Sequence, residues 1–416
     1  MLSASRQGDT TVAATLGAAL FQRAELISLG NRIAEAVPVF EAAFTALASA
    51  HGERSLLVGK CRLTFASHLA NGHKGAQAEH QFRHALQIFH DSGGETDLNA
   101  AIVKIYLGRT LSMVSMAHGA PAEGQRLLAQ ACVVFDSRVG AVSPHYAAQA
   151  RLYLTEALID SGELEAARLP MQACVAFFSS GIDNPLQRAN VRLIHARYLL
   201  ACGEYDEAQH HFEAARSERA LAHGPHHPLT VALAGRVGLV HLLRHALAQA
   251  QLIFERILQE DDHGEAVWDT VKEWVRMNLA LTQLEQGNIE QALPALQQVF
   301  DNYLTNPQSA RYLLSESEVS LNLGRAFLLA GQAQRALPLL QRAADAVEAE
   351  YPRSLSLASH RCWLGLCLLV LGEAPKARAL ADLARATFDA EPLAGVHYRR
   401  SLALLTDQIA AQPPAG

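Results

Sequence analysis

Histidine pairs are the residues of this sequence whose spacing comes closest to metal chemistry. His80 and His84 stand four residues apart, a spacing that on a helix can place two imidazoles on one metal ion. Two further groups are similar: His241 with His245, and His223 with His226 and His227. The first pair has no obvious third ligand nearby, and the loop described below accounts for the last group at least as well. We therefore favour solvated helix faces and predict no metal site.

Catalytic motifs are missing from the sequence, so we predict that the protein is not an enzyme and carries no cofactor. The phosphate-binding GxxxxGK[ST], the zinc-protease HExxH, the esterase GxSxG and the kinase HRD and DFG patterns do not occur. Six cysteines stand far apart without a CxxC pair: Cys61, Cys132, Cys174, Cys202, Cys362 and Cys367. This usage favours buried, inert thiols in a reducing, cytoplasmic environment.

Composition narrows the classes of partner. The chain has 416 residues, 50% of them hydrophobic and 18% charged, which excludes a disordered protein. Its net charge of -6 argues against nucleic acid, because phosphate contacts need clustered positive charge. The longest uninterrupted apolar stretch, Trp363 to Leu371, is shorter than the roughly 20 residues of a membrane span. No signal peptide is evident, and the preference for arginine over lysine suggests a bacterial origin.

A repeat of about 42 residues organises the whole chain. One small residue, here called the anchor, recurs nine times at nearly constant spacing: Ala36, Ala78, Gly124, Ala167, Ala208, Ala250, Ala292, Ala336 and Ala377. Apolar or small residues follow each anchor after four and seven positions, which places all three on one helix face. Glycines stand five residues before five anchors, at 162, 203, 287, 331 and 372, and His245 takes this place in the sixth repeat.

Each repeat is predicted to form two helices joined by a short turn. The glycine fits a helix end that needs a positive φ. Helix starts are indicated by a capping residue followed by proline, at Ser143, Asn184, His227 and Asn306. No segment alternates apolar and polar residues over a useful length, so we predict an all-α protein without a sheet. A last apolar stripe, Tyr398, Leu402, Leu405 and Ile409, predicts a C-terminal capping helix.

The pattern resembles tetratricopeptide (TPR) repeats. Two segments carry the family's small and apolar positions: Ala148, Ala150, Leu154, Ala157, Gly162, Leu164 and Ala167, and then Asn322 to Gly324, Ala326, Phe327, Gly331 and Ala336. The long period and the loop Gly224 to Pro228 are similar to the repeats of kinesin light chains. The resemblance implies an α-α superhelix of about nine helix pairs plus the capping helix. We expect one solenoid domain over residues 10–411, with disordered ends at 1–9 and 412–416.

The resemblance also implies which residues line a concave groove on the first helices. Counting back from the anchors gives candidate binding residues of apolar, cationic and acidic type: Arg109, Met113, Met116, Glu156, Arg197, Trp274, Met277 and Arg325. Such a groove suits an amphipathic helix or an apolar ligand with an acidic group. Two alternatives stay open. The winding could close the groove and make its apolar residues core, and the arginines could pair internally, with Glu156 and Glu318 as candidate acids.

By resemblance, the function is a non-enzymatic scaffold or regulatory adaptor that binds a protein segment. It could be the sensor part or partner of a bacterial signalling protein, such as a Ser/Thr kinase or a transcription regulator. The alternative is a sensor of a small molecule or signalling peptide. The expected partner is a protein or peptide, with no nucleic acid and no membrane, and a homodimer stays open.

Overall fold

The computed structural model describes residues 2–30, 32–72, 74–94, 97–112, 120–138, 144–179, 184–260, 266–305 and 313–412. Within these ranges every regular element is a helix, as the repeat predicts, and no strand occurs. The internal contacts divide the chain into two compact units, Met1–Ala157 and Leu158–Gly416. The prediction of a single domain over residues 10–411 stays a prediction.

The first unit holds three helix pairs and most of the first helix of a fourth pair. The helices are α1 (Leu2–Leu29), α2 (Ile33–His51), α3 (Leu56–Asn71), α4 (Gly75–Gly93), α5 (Leu98–Ser112), α6 (Pro121–Ser137) and α7 (Pro144–Ser161). Helix α1 begins earlier than predicted, at Leu2 instead of near residue 10. Met113 and Met116 lie outside the described residues.

The second unit begins within α7 and continues with five pairs and a last single helix. Its helices are α8 (Leu164–Ser179), α9 (Pro185–Cys202), α10 (Tyr205–His223), α11 (Pro228–Leu243), α12 (Leu247–Leu258), α13 (Ala266–Glu285), α14 (Ile289–Thr305), α15 (Glu316–Leu329), α16 (Ala333–Glu350), α17 (Leu355–Val370), α18 (Ala374–Ala390) and α19 (Val396–Ala410). The described helices therefore form nine successive pairs and a terminal helix.

Small anchors set the distance between the two helices of each pair. The eight alanine anchors are all completely buried. In the third pair the anchor is Gly124, and a Cβ placed there would lie 2.6 Å from the carbonyl oxygen of Gly108 on the partner helix. A larger side chain at such a position would force the helices apart, because interiors are packed to crystal-like density.

The predicted helix ends are confirmed where the structure describes them. All five turn glycines have a positive φ, and so does His245, at 68°. Asn184 caps α9 by accepting a hydrogen bond from the Gln187 amide at 3.1 Å. The predicted start at Asn306 lies outside the described residues. The helix that follows, α15, begins at Glu316 with Ser315 as its cap.

Helix α19 covers the end of the last repeat, as predicted. Leu405 is fully buried, while Leu402 and Ile409 are partly buried against the same apolar cluster. A Cβ placed on Gly365 of α17 would lie 2.7 Å from a methyl carbon of Leu405. The glycine therefore lets α19 lie directly against α17.

Two helices near the N-terminus have the length and apolar composition of a membrane span, Thr10–Leu29 and Ile33–His51. The sequence predicted no membrane span because no uninterrupted apolar stretch is long enough. A helix that contains a few polar residues can still be apolar enough to cross a membrane. Core helices of soluble proteins and signal sequences share these properties. In α2, one face carries fully buried Ala36, Phe40 and Ala43. The absence of a membrane partner stays a prediction.

Candidate functional site

A buried arginine marks the best-defined polar site on the first helices of the second unit. Arg325 on α15 donates to a Glu285 carboxylate oxygen at 2.5 Å, and its guanidinium carbon lies 4.4 Å from the centroid of the Trp363 ring. The Arg325 side chain is 14% exposed, and its Nε has no hydrogen-bond partner among the described residues. Three successive first helices, α13, α15 and α17, thus contribute to one cation site.

Burial opposes the charge of Arg325, and Glu285 supports it. Loss of solvent lowers the pKa of the guanidinium, and the nearby carboxylate acts in the opposite direction. Glu285 is the last residue of α13, where the helix dipole disfavours a negative charge. Its side chain is 37% exposed. Arg325 is therefore held by one acid that is accessible and poorly placed, so another carboxylate could replace it.

Arg197 forms a second pair of the same kind. Its Nη2 donates to Asp160 Oδ1 at 2.5 Å, with the two side chains 24% and 31% exposed. The register is identical in both pairs. Each arginine stands six residues before the turn glycine of its own repeat, and each acid stands two residues before the turn glycine of the preceding repeat. Repetition of one geometry in two places makes a common role reasonable.

The acid that pairs with Arg325 differs from the one suggested by the sequence. Glu318 does not pair with Arg325, because its carboxylate accepts from the Ser315 amide at 3.1 Å in a capping box that starts α15. Arg197 pairs with Asp160, and Arg325 pairs with Glu285. Both arginines are therefore paired within the protein, as the second alternative expected.

Arg109 in the first unit makes a cation–π contact with an aromatic ring. Its guanidinium carbon lies 4.7 Å from the centroid of the Tyr153 ring, and its Nε is buried without a partner among the described residues. Glu156 on α7 lies one residue before the end of the first unit and is partly buried. The predicted binding roles of Arg109 and Glu156 stay predictions.

Two of the candidate binding residues belong to the core. Trp274 and Met277 are each 3% exposed. A Cβ placed on Gly235 of α11 would lie 2.5 Å from the Trp274 ring, so the indole fills the space that this glycine leaves. The side-chain amide of Asn322, also buried, donates to Met277 Sδ at 3.5 Å. Both side chains fill gaps between adjacent first helices in place of facing open solvent, so any contact with a ligand stays a prediction.

Other apolar residues on the first helices of the second unit are covered as well. Leu200 is 8% exposed, while Leu366 and Leu369 are each 6% exposed. The last two share an apolar cluster with Ile159 and Tyr198, which come from the start of the second unit. In this part of the molecule the structure supports the first alternative, in which close packing turns apolar groove positions into core.

The histidine pair on α4 is exposed, as expected for a solvated helix face. The Nε2 atoms of His80 and His84 lie 3.3 Å apart, and both residues are exposed. No group of three or more candidate ligands for a metal ion occurs within the described residues. The cysteines agree with the prediction of buried, unreactive thiols, because burial raises the pKa of Cys362 and Cys367 to about 11 each.

Acid should destabilise the protein through three histidines that are neutral in the fold. Burial lowers the pKa of His195, His360 and His397 to about 4 each. The unfolded chain then binds more protons than the folded one below pH ~6.5, so stability is complete above that pH and falls towards pH 4. We expect a loss on the order of 1 kcal/mol per histidine at pH 5.

Chemical denaturation at pH 7.5 and pH 5 measures this effect. His360→Gln should reduce the difference between the two pH values, whereas the exposed His90→Gln should leave it unchanged. An equal pH dependence in all three proteins would contradict the assignment.

Known proteins share both the repeat and the fold. Residues 277–352 match a family model described as tetratricopeptide repeat, and residues 189–214 and 358–382 match a second model of that description. No curated protein matches the chain. The apo form of the quorum sensor NprR from B. thuringiensis is 12% identical, over 89% of this chain and 98% of that chain, with a TM-score of 0.57.

Two further structures are similar to this chain. The Rap conjugation gene regulator of plasmid pLS20, in complex with a Phr peptide, is 12% identical over 93% of this chain and 98% of that chain, with a TM-score of 0.54. Kinesin-light-chain TPR-like repeats from Podosopora anserina are 18% identical over 50% of this chain and 97% of that chain, with a TM-score of 0.34. At these identities the likeness to NprR and Rap shows a helical-repeat fold.

Proposed function

We propose that this chain, which is built of tetratricopeptide repeats, is a non-enzymatic module. It binds a protein segment through the first helices of its second unit. The carrying observation is the repeated register of Arg197 with Asp160 and Arg325 with Glu285. Each pair offers a planar guanidinium that a ligand carboxylate can grip through two hydrogen bonds. The ligand chemistry that fits is an acidic side chain or a C-terminal carboxylate within an otherwise apolar segment.

A regulatory role as a sensor of a signalling peptide is the finer form of this proposal. It is supported by the solved structures with this fold, since NprR is described as a quorum sensor and the Rap regulator was solved with a Phr peptide. The absence of recognisable catalytic motifs from the sequence supports a binding role. We place the protein in the cytoplasm, in line with its scattered cysteines, which form no CxxC pair in the sequence.

Selection from a phage-displayed random peptide library against the full chain tests the proposal. The selected peptides should contain acidic residues or depend on a free C-terminus. Their affinity should fall by roughly tenfold or more in Arg197→Gln or Arg325→Gln, because a charge-assisted hydrogen bond is lost. Arg256→Gln changes an exposed arginine on a second helix and is the matched control.

Circular dichroism must show that each variant is folded before its affinity is compared. Failure to select any peptide, or selected peptides that bind all three variants equally, would contradict the proposed site. A loss of stability without a loss of affinity would assign the arginines to bracing the repeats.

A further inference from the structure

The beginning and the end of the second unit touch each other. The amide of Gly395 donates to the carbonyl oxygen of Ala201 at 2.8 Å, and Tyr205 Oη lies 3.0 Å from His397 Nδ1. These residues are more than 190 positions apart along the chain. We call this contact, residues 391–398 against residues 158–165 and 197–205, the closing contact.

Glycines allow the two backbones to approach closely. A Cβ placed on Gly203 would lie 3.1 Å from the Cα of Gly395, and one placed on Gly395 would lie 2.8 Å from the Gly203 nitrogen. Gly162 is similar, since its Cβ would lie 2.8 Å from the Leu355 nitrogen on α17. Contacts between helix ends and a loop are therefore made largely by backbone, and they would be sensitive to one added methyl group.

Polar groups in the closing contact make it marginal. The Glu391 carboxylate accepts hydrogen bonds from the amides of Leu164 and Glu165 at the start of α8, but burial raises the pKa of Glu391. Its Oε2 has no partner among the described residues. A partly satisfied buried carboxylate costs free energy that a fully apolar contact would not. Contacts of this polarity resemble those between parts of a protein that move relative to each other.

The closing contact lies against one of the two arginine sites. Tyr398 is partly buried there, and the pKa of its hydroxyl is raised to about 12, first by loss of solvent and then by the charge of Asp160, while Arg197 acts in the opposite direction. Ile159, Tyr198 and Trp363 belong to the same apolar cluster as Tyr398. A ligand carboxylate that replaced Asp160 on Arg197 would therefore disturb the surroundings of Tyr398.

We propose that the closing contact opens reversibly in the native protein and controls access of the bound segment to Arg197. The part concerning access rests on the proposed function, whereas the opening itself does not. A binding-competent open state that is only partly populated weakens the apparent affinity by its fractional population. A variant that opens the contact should then bind the segment more tightly.

Labelling of Cys202 reports the opening. This thiol stands next to Gly203, and burial raises its pKa to about 11, which slows its reaction with iodoacetamide. Mass spectrometry separates it from two internal references. Cys132 of the first unit is also partly buried, with a pKa raised to about 12, and Cys174 is fully buried in the second unit and reports its unfolding.

Two glycine variants distinguish the effect of backbone strain at a positive φ from the effect of a steric clash in the closing contact. Gly203→Ala and Gly287→Ala place alanine at nearly equal φ, 83° and 82°, at the same position of their repeats. A Cβ on Gly287 meets no atom within 4 Å, whereas one on Gly203 meets Gly395. We expect Gly203→Ala to accelerate Cys202 labelling roughly tenfold or more, with Cys132 unchanged, and Gly287→Ala to leave the Cys202 rate near that of the unmodified protein.

Tyr205→Phe is the second variant if Gly203→Ala does not fold. Loss of the hydroxyl bond to His397 should accelerate Cys202 labelling about fivefold. Equal Cys202 rates in the Gly203 and Gly287 variants, or a Cys202 rate that never exceeds that of Cys174, would overturn the inference.

The most enriched peptide from the display selection is the probe for access. Its affinity should rise in Gly203→Ala and remain unchanged in Gly287→Ala, and a fall in affinity would overturn the access role. If the selection yields no peptide, the proposed function fails, and the labelling rates still decide whether the contact opens.

Discussion

Replacement of Glu285 by glutamine should lower the free energy of unfolding of the second unit by about 2 kcal/mol. The change removes the acid that pairs with Arg325 and leaves a largely buried cation without a counter-charge. Breaking a fully buried pair costs about 3–5 kcal/mol. The partial exposure of Glu285 reduces this figure, because solvent screens the interaction. Urea denaturation of the two proteins at pH 7.5 measures the difference.

Two further variants identify the cause of that loss. Glu290→Gln alters an exposed glutamate on α14 and should change stability by no more than about 0.5 kcal/mol. Addition of Arg325→Met to Glu285→Gln should restore most of the stability, because an apolar side chain no longer needs a counter-charge. Equal losses in the Glu285 and Glu290 variants would show that the pair contributes nothing.

Replacement of Leu405 by alanine should lower stability by about 3 kcal/mol, as for other fully buried leucines. Leu405 packs against Gly365 and the apolar cluster that ends the last repeat, and none of its surface is exposed. Its neighbour Leu404, which is 39% exposed, is the matched control, and Leu404→Ala should cost less than about 1 kcal/mol. Denaturation midpoints of the two variants provide the comparison.

Deletion of residues 393–416 extends the same test. The truncated protein should expose the surface that Leu402, Leu405 and Ile409 cover, and exposed apolar patches promote association. Sedimentation velocity measures the association. A monomeric truncated protein with an unchanged melting temperature would contradict the capping role of α19.

Sequence periodicity was sufficient to predict the helix pairs. The anchors, the apolar residues after them and the turn glycines are local features that recur every 42 residues or so, and each repeat packs mainly on its neighbours. The prediction holds even where the turn residue is not glycine. The position of His245 in its repeat predicted a helix-ending conformation, and its backbone adopts a positive φ of 68°. The predicted start at Asn306 lies outside the described residues and stays a prediction.

The candidate site was only half predictable. Arg197 and Arg325 followed from their positions in the repeat, but Asp160 and Glu285, which pair with them, were not among the predicted acids. A usable signal existed. Asp160 and Glu285 both stand two residues before a turn glycine, and they precede their arginines by similar distances in the chain. The burial of Trp274 and Met277 was not predictable, because whether an inward side chain meets solvent or the next helix depends on how closely the helices pack.

The sequence by itself determined the helices, their pairing and the small residues between them, since all of these depend on contacts between residues close in the chain. Only the tertiary structure decided that residues 391–398 return to the ends of α7 and α9. That contact depends on the accumulated rotation of five repeats, which no single repeat encodes, and on backbone atoms that every residue possesses. The sequence therefore contains no pattern that predicts the contact between Tyr205 and His397, although Tyr205 Oη lies 3.0 Å from His397 Nδ1 in the fold.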